Sequence, residues 1–161
     1  MSEYIIEHDT SAKNFQDEVH KLFNKHNEEF KPNLDEYGTD MNNAVESYVK
    51  DSEIIIAKYK EDVVGILIIT INGYREPISK FCPCVYINMA LVDRNHRRNK
   101  LAKEMMMKCI SHFNHRSYVC LRTESENYKM QNFCEKLAFE TKAEEIDKGY
   151  KRLYYCRELN P

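Results

Sequence analysis

One stretch of the chain, residues 85–121, limits the possible folds more than any other. It opens with the apolar run Val85–Val92, which has the composition of a buried strand. A helical pattern follows, and a second strand, Tyr118–Leu121, closes the stretch. Two strands joined through a helix run parallel in one sheet, with a right-handed crossover. The predicted apolar face of the helix consists of Leu101, Ala102, Met105, Met106, Cys109, Ile110 and Phe113.

The remaining segments predict mainly antiparallel strands. Ile54–Ile56 and Val63–Ile71 are β-branched runs that turn near residues 61–62, and Ala143–Arg157 predicts a hairpin that turns at residues 147–149. Near the N-terminus we predict a strand at Tyr4–Ile6 and a helix that Ser11 caps and that continues through Phe15, Val19, Leu22 and Phe23. A second helix follows after a break near Pro32 and Gly38. Later in the chain we predict a loop over 74–83 and a helix over Asn127–Leu137. The order βααβββαβαββ predicts an α/β (α+β) fold: a mixed, mostly antiparallel twisted sheet with a central parallel pair, flanked by about four helices.

Length and composition restrict the class of protein. The 161 residues predict a single domain over residues 1–161. With 42% hydrophobic residues and a net charge of -2, the chain is unlike disordered, collagen or coiled-coil proteins. Its longest apolar run, Val63–Ile71, is nine residues, whereas a membrane-spanning helix needs about 20. We therefore expect no contact with a membrane.

The N-terminal residues and the cysteines bear on the cellular compartment. Residues 1–20 carry five acidic side chains and lack the basic start of an export signal. The six cysteines are irregularly spaced, which favours reduced thiols over a disulfide framework. We therefore expect a cytoplasmic protein, and a monomer and a homodimer are both compatible with the sequence.

The segment that links the strand Val85–Val92 to the following helix is strongly basic. Residues 93–108 contain two acidic and six basic side chains, the latter being Arg94, Arg97, Arg98, Lys100, Lys103 and Lys108. The start of a helix offers main-chain N–H groups without helical acceptors and the positive end of the helix dipole. This segment therefore predicts a binding site for an anion, such as a multiply phosphorylated small molecule.

Two motifs in this part of the chain resemble those of the GNAT superfamily of N-acetyltransferases. The first family signature is Arg/Gln-x-x-Gly-x-Gly/Ala, and Arg97, Leu101 and Ala102 fit it. The second is Asn-x-x-Ala-x-x-Phe-Tyr-x-Lys-Leu-Gly-Phe, which is similar to residues 127–139. The positions that match it are Asn127, Phe133, Lys136, Leu137 and Phe139. The two motifs lie 30 residues apart in the family's element order, and the resemblance implies a GNAT-like fold.

The resemblance implies that acetyl-CoA is the co-substrate. Main-chain amides from Arg97 to Ala102 would then hold the diphosphate, Leu91 and Val92 would bond the pantetheine arm, and Asn127 would lie beside that arm. The full set of implied cofactor-binding residues is Leu91, Val92, Arg97, Arg98, Asn99, Lys100, Leu101, Ala102, Lys103 and Asn127.

The implied reaction is direct attack of a primary amine on the acetyl group. The chain departs from the family's motifs at three positions, two of which bear on function. Lys100 stands where the family has Gly: its Cβ could crowd the loop, or its ammonium could meet a phosphate. Cys134 stands where the family has a Tyr that is proposed to protonate the departing thiolate. Cys134 could serve as that acid, as a covalent acyl carrier or as a packed core thiol. Glu124 is a candidate base, or else a surface carboxylate. A third departure, Ala138 in place of Gly, is expected to affect packing only.

The acceptor site is predicted from the segments that form its walls in the family. They carry the acidic residues Glu28, Glu29, Asp35, Glu36 and Asp40 together with Tyr37 and Tyr74. From this set we take Glu36, Tyr37, Asp40 and Tyr74 as candidate substrate-binding residues. Their acidity favours a cationic amine acceptor, and a solvated helical face is the open alternative.

The sequence is compatible with two further functional classes. A catalytically silent acyl-CoA-binding protein of the same fold is compatible with Lys100 and Cys134. A nucleic-acid-binding module is compatible with the basic segment, but the pI of about 6.3 argues against it and we expect no nucleic acid partner. Cys109, His112 and His115 recur at metal-ligand spacing on the helix. We expect no metal there, because Cys109 falls on the predicted apolar face.

Overall fold

The structure is a computed structural model that describes residues 3–30, 32–34 and 40–160. Its strands are β1 (Tyr4–Asp9), β2 (Glu53–Tyr59), β3 (Asp62–Gly73), β4 (Cys84–Val92), β5 (Tyr118–Glu124), β6 (Glu140–Asp147) and β7 (Tyr150–Glu158). Its α-helices are α1 (Gln16–His26), α2 (Met41–Val49), α3 (Leu101–His112) and α4 (Tyr128–Lys136). The order of these elements is βααβββαβαββ, so the predicted order is confirmed.

The strands form a seven-stranded sheet in the order β1-β2-β3-β4-β5-β7-β6. Four neighbouring pairs are antiparallel: β1 with β2, β2 with β3, β5 with β7, and β6 with β7. β4 and β5 run parallel, with Val85 opposite Val119 and Tyr86 opposite Cys120. The link through α3 imposes this direction, and the predicted mixed sheet with a central parallel pair is confirmed.

The chain divides into two compact units. The first comprises the described residues up to Thr70 together with Asn88–His112, and the second comprises Ile71–Ile87 together with the described residues from Phe113 onward. The single domain over residues 1–161 stays a prediction. Among the described residues, no helix is both long enough and apolar enough to span a membrane.

Each unit has its own core. In the first, side chains alternate along the strands, so Ile54, Ile56, Ile66 and Ile68 point to one face and pack against α1 and α2. The helical residues of this core include Val19, Leu22, Phe23, Val45 and Val49. The core of the second unit contains Ile78, Cys84, Tyr86, Cys120, Tyr154 and Cys156.

Helix α3 packs on the other face of the first unit's strands. It buries Leu101, Met105, Met106, Cys109 and Ile110, as its periodicity predicts. A Cβ atom added at Gly65 would lie 3.1 Å from Met105 Cε and 3.2 Å from Ala57 Cβ. The absence of a side chain at Gly65 therefore leaves the room that Met105 occupies.

Two local predictions need correction. Ser11 precedes a short 3-10 helix (Ala12–Phe15), and within the described residues its side chain makes no capping bond. The local side-chain acceptor is Asp9, whose Oδ1 accepts from the Ser11 N–H at 2.8 Å and from Asn14 Nδ2 at 3.2 Å, because a short carboxylate readily bonds the amide two residues on. The predicted loop over 74–83 contains a 3-10 helix at Glu76–Phe81.

The hairpin of β6 and β7 turns where the sequence predicts. Asp147 lies opposite Tyr150, and the two residues between them, Lys148 and Gly149, have φ values of 51° and 81°. A type I′ hairpin turn has positive φ at both central positions, which matches the twist of the strands. Gly149 adopts it at no steric cost.

Candidate active site

Asp93 anchors the loop between β4 and α3. Its N–H donates to Val64 O at 2.8 Å, and its carboxylate accepts from the Asn95 N–H at 3.0 Å and from Lys25 Nζ at 2.8 Å. Burial by itself raises the pKa of Asp93, but the hydrogen bonds from Lys25 and Asn95 outweigh it and hold the pKa below its ordinary value. An ionised Asp93 therefore ties the start of the loop to β3 and α1.

Glu29, just beyond α1, holds two arginines of the same loop. Arg97 Nη2 donates to Glu29 Oε1 at 2.6 Å, and Arg97 Nε donates to Val92 O at 2.9 Å. Arg94 Nη2 lies 3.3 Å from Glu29 Oε2. Burial raises the pKa of Glu29, but hydrogen bonds from His26 and Arg97 outweigh it and lower the pKa overall. Glu29, which the sequence suggested for the acceptor site, is thus a loop anchor.

The loop backbone enters the left-handed region twice, at Arg98 (φ 67°) and at Lys100 (φ 62°). Glycine adopts this region freely, whereas for a residue with a Cβ atom it costs roughly 1–2 kcal/mol. Asn99 Nδ2 donates to His96 O at 3.0 Å and to Arg97 O at 3.3 Å, which holds the turn between these two positions. Lys100 therefore keeps the backbone that suits glycine.

Replacing Lys100 with Gly or with Val tests this backbone strain. Lys100→Gly should raise the free energy of unfolding by up to about 1 kcal/mol, because it relieves the left-handed strain. Lys100→Val should lower it by about 1 kcal/mol or more, since a β-branched residue is an outlier at positive φ. Chemical denaturation of both variants measures the difference. Equal stability of the two variants would show that φ at residue 100 is not positive.

The first turn of α3 has main-chain amides without helical acceptors, and exposed cations lie next to it in the sequence. The first helical bond runs from the Glu104 N–H to Lys100 O at 3.0 Å. The N–H groups of residues 101–103 precede it and have no acceptor within the helix. Arg98, Lys100 and Lys103 are exposed around this turn. Amides, helix dipole and cations together form a site suited to a phosphorylated anion.

The end of β4 leads directly into this loop. Leu91 is buried in the core of the first unit, and Ala102 and Val92 are half-buried. The predicted cofactor-binding residues of the segment 91–103 thus lie together in the first unit. They are Leu91, Val92, Arg97, Arg98, Asn99, Lys100, Leu101, Ala102 and Lys103.

An aromatic pocket beside the loop was not predicted. Its open cavity of about 530 Å³ is lined by Glu3, Tyr4, Tyr59, Asn95, His96 and Asn99. Tyr4 Oη and His96 Nδ1 are 3.0 Å apart, and the Tyr59 ring lies 5.1 Å from the His96 ring. These residues come from β1 and the residue before it, from β2 and from the loop, so their sequence positions carried no signal of proximity.

Glu124 and Asn127 lie in the second unit, at the end of β5 and the start of α4. Glu124 is half-buried and opposes Arg152 in the pairing with β7. Asn127 is the N-cap of α4: its Oδ1 accepts from the Met130 N–H at 3.2 Å. Its own N–H donates to Glu124 O at 2.9 Å. The predicted helix start is therefore confirmed, and Asn127 has a structural role as a cap.

Cys134 is fully buried on α4, with 0% of its surface exposed. Burial, with a smaller effect of the Glu135 carboxylate, raises the pKa of its thiol to about 12. At neutral pH the thiol is therefore protonated. A covalent acyl carrier needs a thiolate, so this environment argues against that one of the three roles.

The candidate acceptor residues are only partly described. Glu36 and Tyr37 lie outside the described residues. Asp40, in the first unit, is the N-cap of α2, and its Oδ1 accepts from the Asn43 N–H at 2.9 Å. Tyr74, in the second unit, is 55% exposed and its hydroxyl donates to Glu76 Oε2 at 2.8 Å. That hydrogen bond raises the pKa of Tyr74.

The predicted trio at metal-ligand spacing does not lie on one helix, because α3 ends at His112 and His115 follows in a turn. Cys109 has 0% of its surface exposed, and burial raises the pKa of its thiol to about 12. His112, by contrast, is exposed at the last position of α3. These two residues therefore face different surroundings.

Comparisons with known proteins give a family match and a set of solved structures with a similar fold. The sequence matches the Acetyltransferase (GNAT) family over residues 17–139. A search of curated proteins gives no match. The fold is similar to an aminoglycoside 6′-acetyltransferase type Ii, with a TM-score of 0.73, 16% identity and 98% of each chain covered. It is similar to an acetyltransferase from Thermus thermophilus, with a TM-score of 0.68, 12% identity and coverage of 95% of this chain and 96% of that one. It is also similar to yncA from Salmonella typhimurium with its cofactor acetyl-CoA, with a TM-score of 0.70, 11% identity and coverage of 96% of this chain and 94% of that one.

At these identities the solved structures establish the fold, whereas the family match rests on the sequence. That match covers well over half of the chain and contains both motifs, the basic loop before α3 and the segment from Asn127 to Phe139. The chain therefore belongs to the acetyltransferase (GNAT) family.

Proposed function

We propose that this chain is an N-acetyltransferase that moves the acetyl group of acetyl-CoA to a primary amine of a small molecule or protein. The observation that carries the proposal is the turn from β4 into α3, where exposed cations surround main-chain amides at the helix start. A diphosphate is the type of anion that such a turn binds. The fold's similarity to yncA, whose structure contains acetyl-CoA, supports the same ligand.

Within the proposal, side chains and main chain of the loop have separate tasks. The amides of residues 97–102 bind the diphosphate, and Arg98, Lys100 and Lys103 add positive charge around it. Arg97 acts indirectly, because its guanidinium is bonded to Glu29 and to Val92 O and so fixes the loop. The main chain of Leu91 and Val92 at the end of β4 binds the pantetheine arm.

The proposed reaction is direct attack by the acceptor amine on the thioester carbonyl that acetyl-CoA supplies. The new C–N bond forms, the C–S bond breaks, the amine nitrogen loses a proton and the departing thiolate gains one. A main-chain N–H near Val92 stabilises the oxyanion, and Glu124 accepts the amine proton directly or through water. Cys134 is the proposed proton donor, and a packed core thiol is the alternative: burial keeps the thiol protonated at neutral pH, but its raised pKa also makes it a weaker acid.

The state of Cys134 predicts how stability depends on pH. Its pKa rises from an ordinary 9.0 to about 12 on folding. Between these values the unfolded chain loses the thiol proton while the folded chain keeps it, so the free energy of unfolding falls as pH rises from 9 to 12. The slope from one such thiol is at most about 1.4 kcal/mol per pH unit. Urea denaturation of the native chain and of Cys134→Ala measures it, and identical slopes would contradict the buried neutral thiol.

A turnover assay separates the proposed enzyme from a silent acyl-CoA binder, the alternative that Lys100 and Cys134 favour. Thiol release from acetyl-CoA is followed with a panel of mono- and polyamines. An enzyme releases thiol only when a suitable amine is present and transfers the acetyl group to it. A silent binder shows acetyl-CoA binding but no release above the rate without protein.

The proposed acceptor is a cationic amine recognised by Glu36 and Asp40. Because Asp40 also caps α2, its charge must be removed without losing the cap. Serine is a good N-cap without charge, so Asp40→Ser combined with Glu36→Gln should raise the acceptor KM and leave stability unchanged. An unchanged KM would exclude these carboxylates from acceptor binding.

A cytoplasmic location is part of the proposal. All six cysteines are free in the structure, which fits a compartment that keeps thiols reduced. Acetyl-CoA as the co-substrate fits the same location.

A further inference from the structure

A second cluster of chemically active side chains lies at the far end of α3. It consists of His8 on β1, Glu53 on β2 and His112, the last residue of α3. His8 Nε2 is 2.6 Å from Glu53 Oε1, and the rings of His8 and His112 are 4.0 Å apart between centroids, tilted by 37°. All three residues belong to the first unit.

The strand register explains why these residues meet. His8 lies opposite Ile55, so Glu53, two residues from Ile55, is its diagonal neighbour on the same face of the sheet. This is the face of Ala57, beside which Met105 of α3 packs near Gly65. The C-terminal end of α3 adds His112 to the pair. The cluster is therefore fixed by one helix and two paired strands, which are rigid elements.

The donor set is that of a transition-metal site. One ring nitrogen from each histidine and one carboxylate oxygen of Glu53 lie within 4.8 Å of one another. Neutral imidazole and carboxylate are the ligands of many Zn²⁺ and other divalent transition-metal sites, at about 2.0–2.2 Å from the ion. Three ligands at such distances are roughly 3–4 Å apart. Side-chain movements of about 1 Å, which include moving His8 Nε2 and Glu53 Oε1 apart from 2.6 Å, would therefore form the site. His112 is exposed and ends its helix, so its side chain has room to make that adjustment.

We propose that His8, Glu53 and His112 bind one divalent transition-metal ion, with Zn²⁺ as the preferred ion and with at least one coordination position left to water. The ion would cross-link β1, β2 and α3. This trio differs from the helical set Cys109, His112 and His115 that the sequence suggested. It is also separate from the proposed acetyl-CoA loop, because α3 rises 1.5 Å per residue and the two ends of the helix are about 16 Å apart. The inference does not depend on the proposed enzymatic activity.

Metal titration of the full chain, freed of metal with EDTA and kept reduced with a phosphine, tests the site. We expect ZnCl₂ to bind with one-to-one stoichiometry by calorimetry and to raise Tm. His112→Ala should weaken that binding at least tenfold, and it should fold because His112 is exposed. His20→Ala is the matched control: His20 is a histidine of α1 outside the cluster, bonded to Asn24 Nδ2 at 3.0 Å, and its replacement should leave the affinity unchanged.

CoCl₂ distinguishes the cluster from the six cysteines as the metal site. Cobalt bound by imidazole and carboxylate gives visible d–d bands without the near-ultraviolet charge-transfer band of a thiolate ligand. We expect the visible bands alone, and we expect their loss in His8→Ala as well as in His112→Ala. Absence of stoichiometric binding, a thiolate band, or equal affinity in His112→Ala and the native chain would overturn the proposal.

Discussion

Arg97→Glu is expected to weaken acetyl-CoA binding at least tenfold, or by about 1.4 kcal/mol. The native guanidinium bridges Val92 O and the Glu29 carboxylate at 2.9 Å and 2.6 Å, so it holds the end of β4 against the segment after α1. A glutamate at this position faces Glu29 with like charge and cannot donate to the Val92 carbonyl. The loop amides then lose the arrangement that suits a diphosphate. Because the pair is partly exposed, the loss of stability should be modest, about 1 kcal/mol.

Two further variants separate loop geometry from net charge. Arg98→Glu makes the same charge change at a neighbouring exposed residue, and it should weaken binding with little effect on stability. Adding Glu29→Arg to Arg97→Glu restores an ion pair of reversed polarity, and it should recover part of the lost stability. Isothermal titration with acetyl-CoA and urea denaturation provide the two measurements. Native affinity in Arg97→Glu would show that this arginine does not shape the binding loop.

Gly73→Ala is expected to destabilise the chain by about 1–3 kcal/mol, the usual cost of overpacking a core. A Cβ atom at Gly73 would lie 2.4 Å from Tyr86 Cβ and 3.3 Å from Cys84 O. Both partners are buried on β4, and neither a Cβ nor a main-chain oxygen can rotate away. The strands must therefore shift apart. A loss of this size lowers Tm by roughly 2 to 12 °C.

Gly65→Ala is the matched control for this steric argument. The atoms nearest to its added Cβ are Met105 Cε at 3.1 Å, the flexible end of a side chain, and Ala57 Cβ at 3.2 Å. Both contacts need a shift of only a few tenths of an ångström, much less than the 2.4 Å contact at Gly73 requires, so the cost should be smaller than that of Gly73→Ala, about 1 kcal/mol. Thermal unfolding of the two variants compares them directly. Equal losses for Gly65→Ala and Gly73→Ala would contradict the packing of β3 on β4.

The sequence predicted those parts of the fold that depend on local periodicity. The 3.6-residue pattern of α3 and the β-branched runs on either side are local signals, and together they specify a parallel strand pair. The turn at Lys148 and Gly149 was equally predictable, because a glycine between two strand patterns is typical of a hairpin turn. The prediction for Ser11 failed because the chain enters a short 3-10 helix after it, and Asp9 rather than Ser11 supplies the local side-chain acceptor, for the Ser11 N–H and for Asn14 Nδ2.

The candidate site was predicted where one continuous segment forms it and missed where distant segments meet. The basic segment 93–108 is visible in the sequence because charge and helix start are adjacent. The role of Glu29 was not visible in the sequence, since Glu29 lies 68 residues from Arg97 and its pairing depends on how α1 packs. The same holds for the aromatic pocket around His96 and for the cluster of His8 and His112. Such contacts follow from strand register and helix packing, which one sequence specifies only through the whole fold.

Thermal unfolding with and without acetyl-CoA tests the proposed function most directly. A ligand at about 100 times its Kd adds roughly 2.7 kcal/mol to the free energy of unfolding. For a chain of this size, Tm should therefore rise by roughly 5 to 10 °C, whereas adenosine alone should give no comparable shift. An unchanged Tm at millimolar acetyl-CoA would mean that the loop before α3 does not bind the diphosphate, and it would contradict the proposed function.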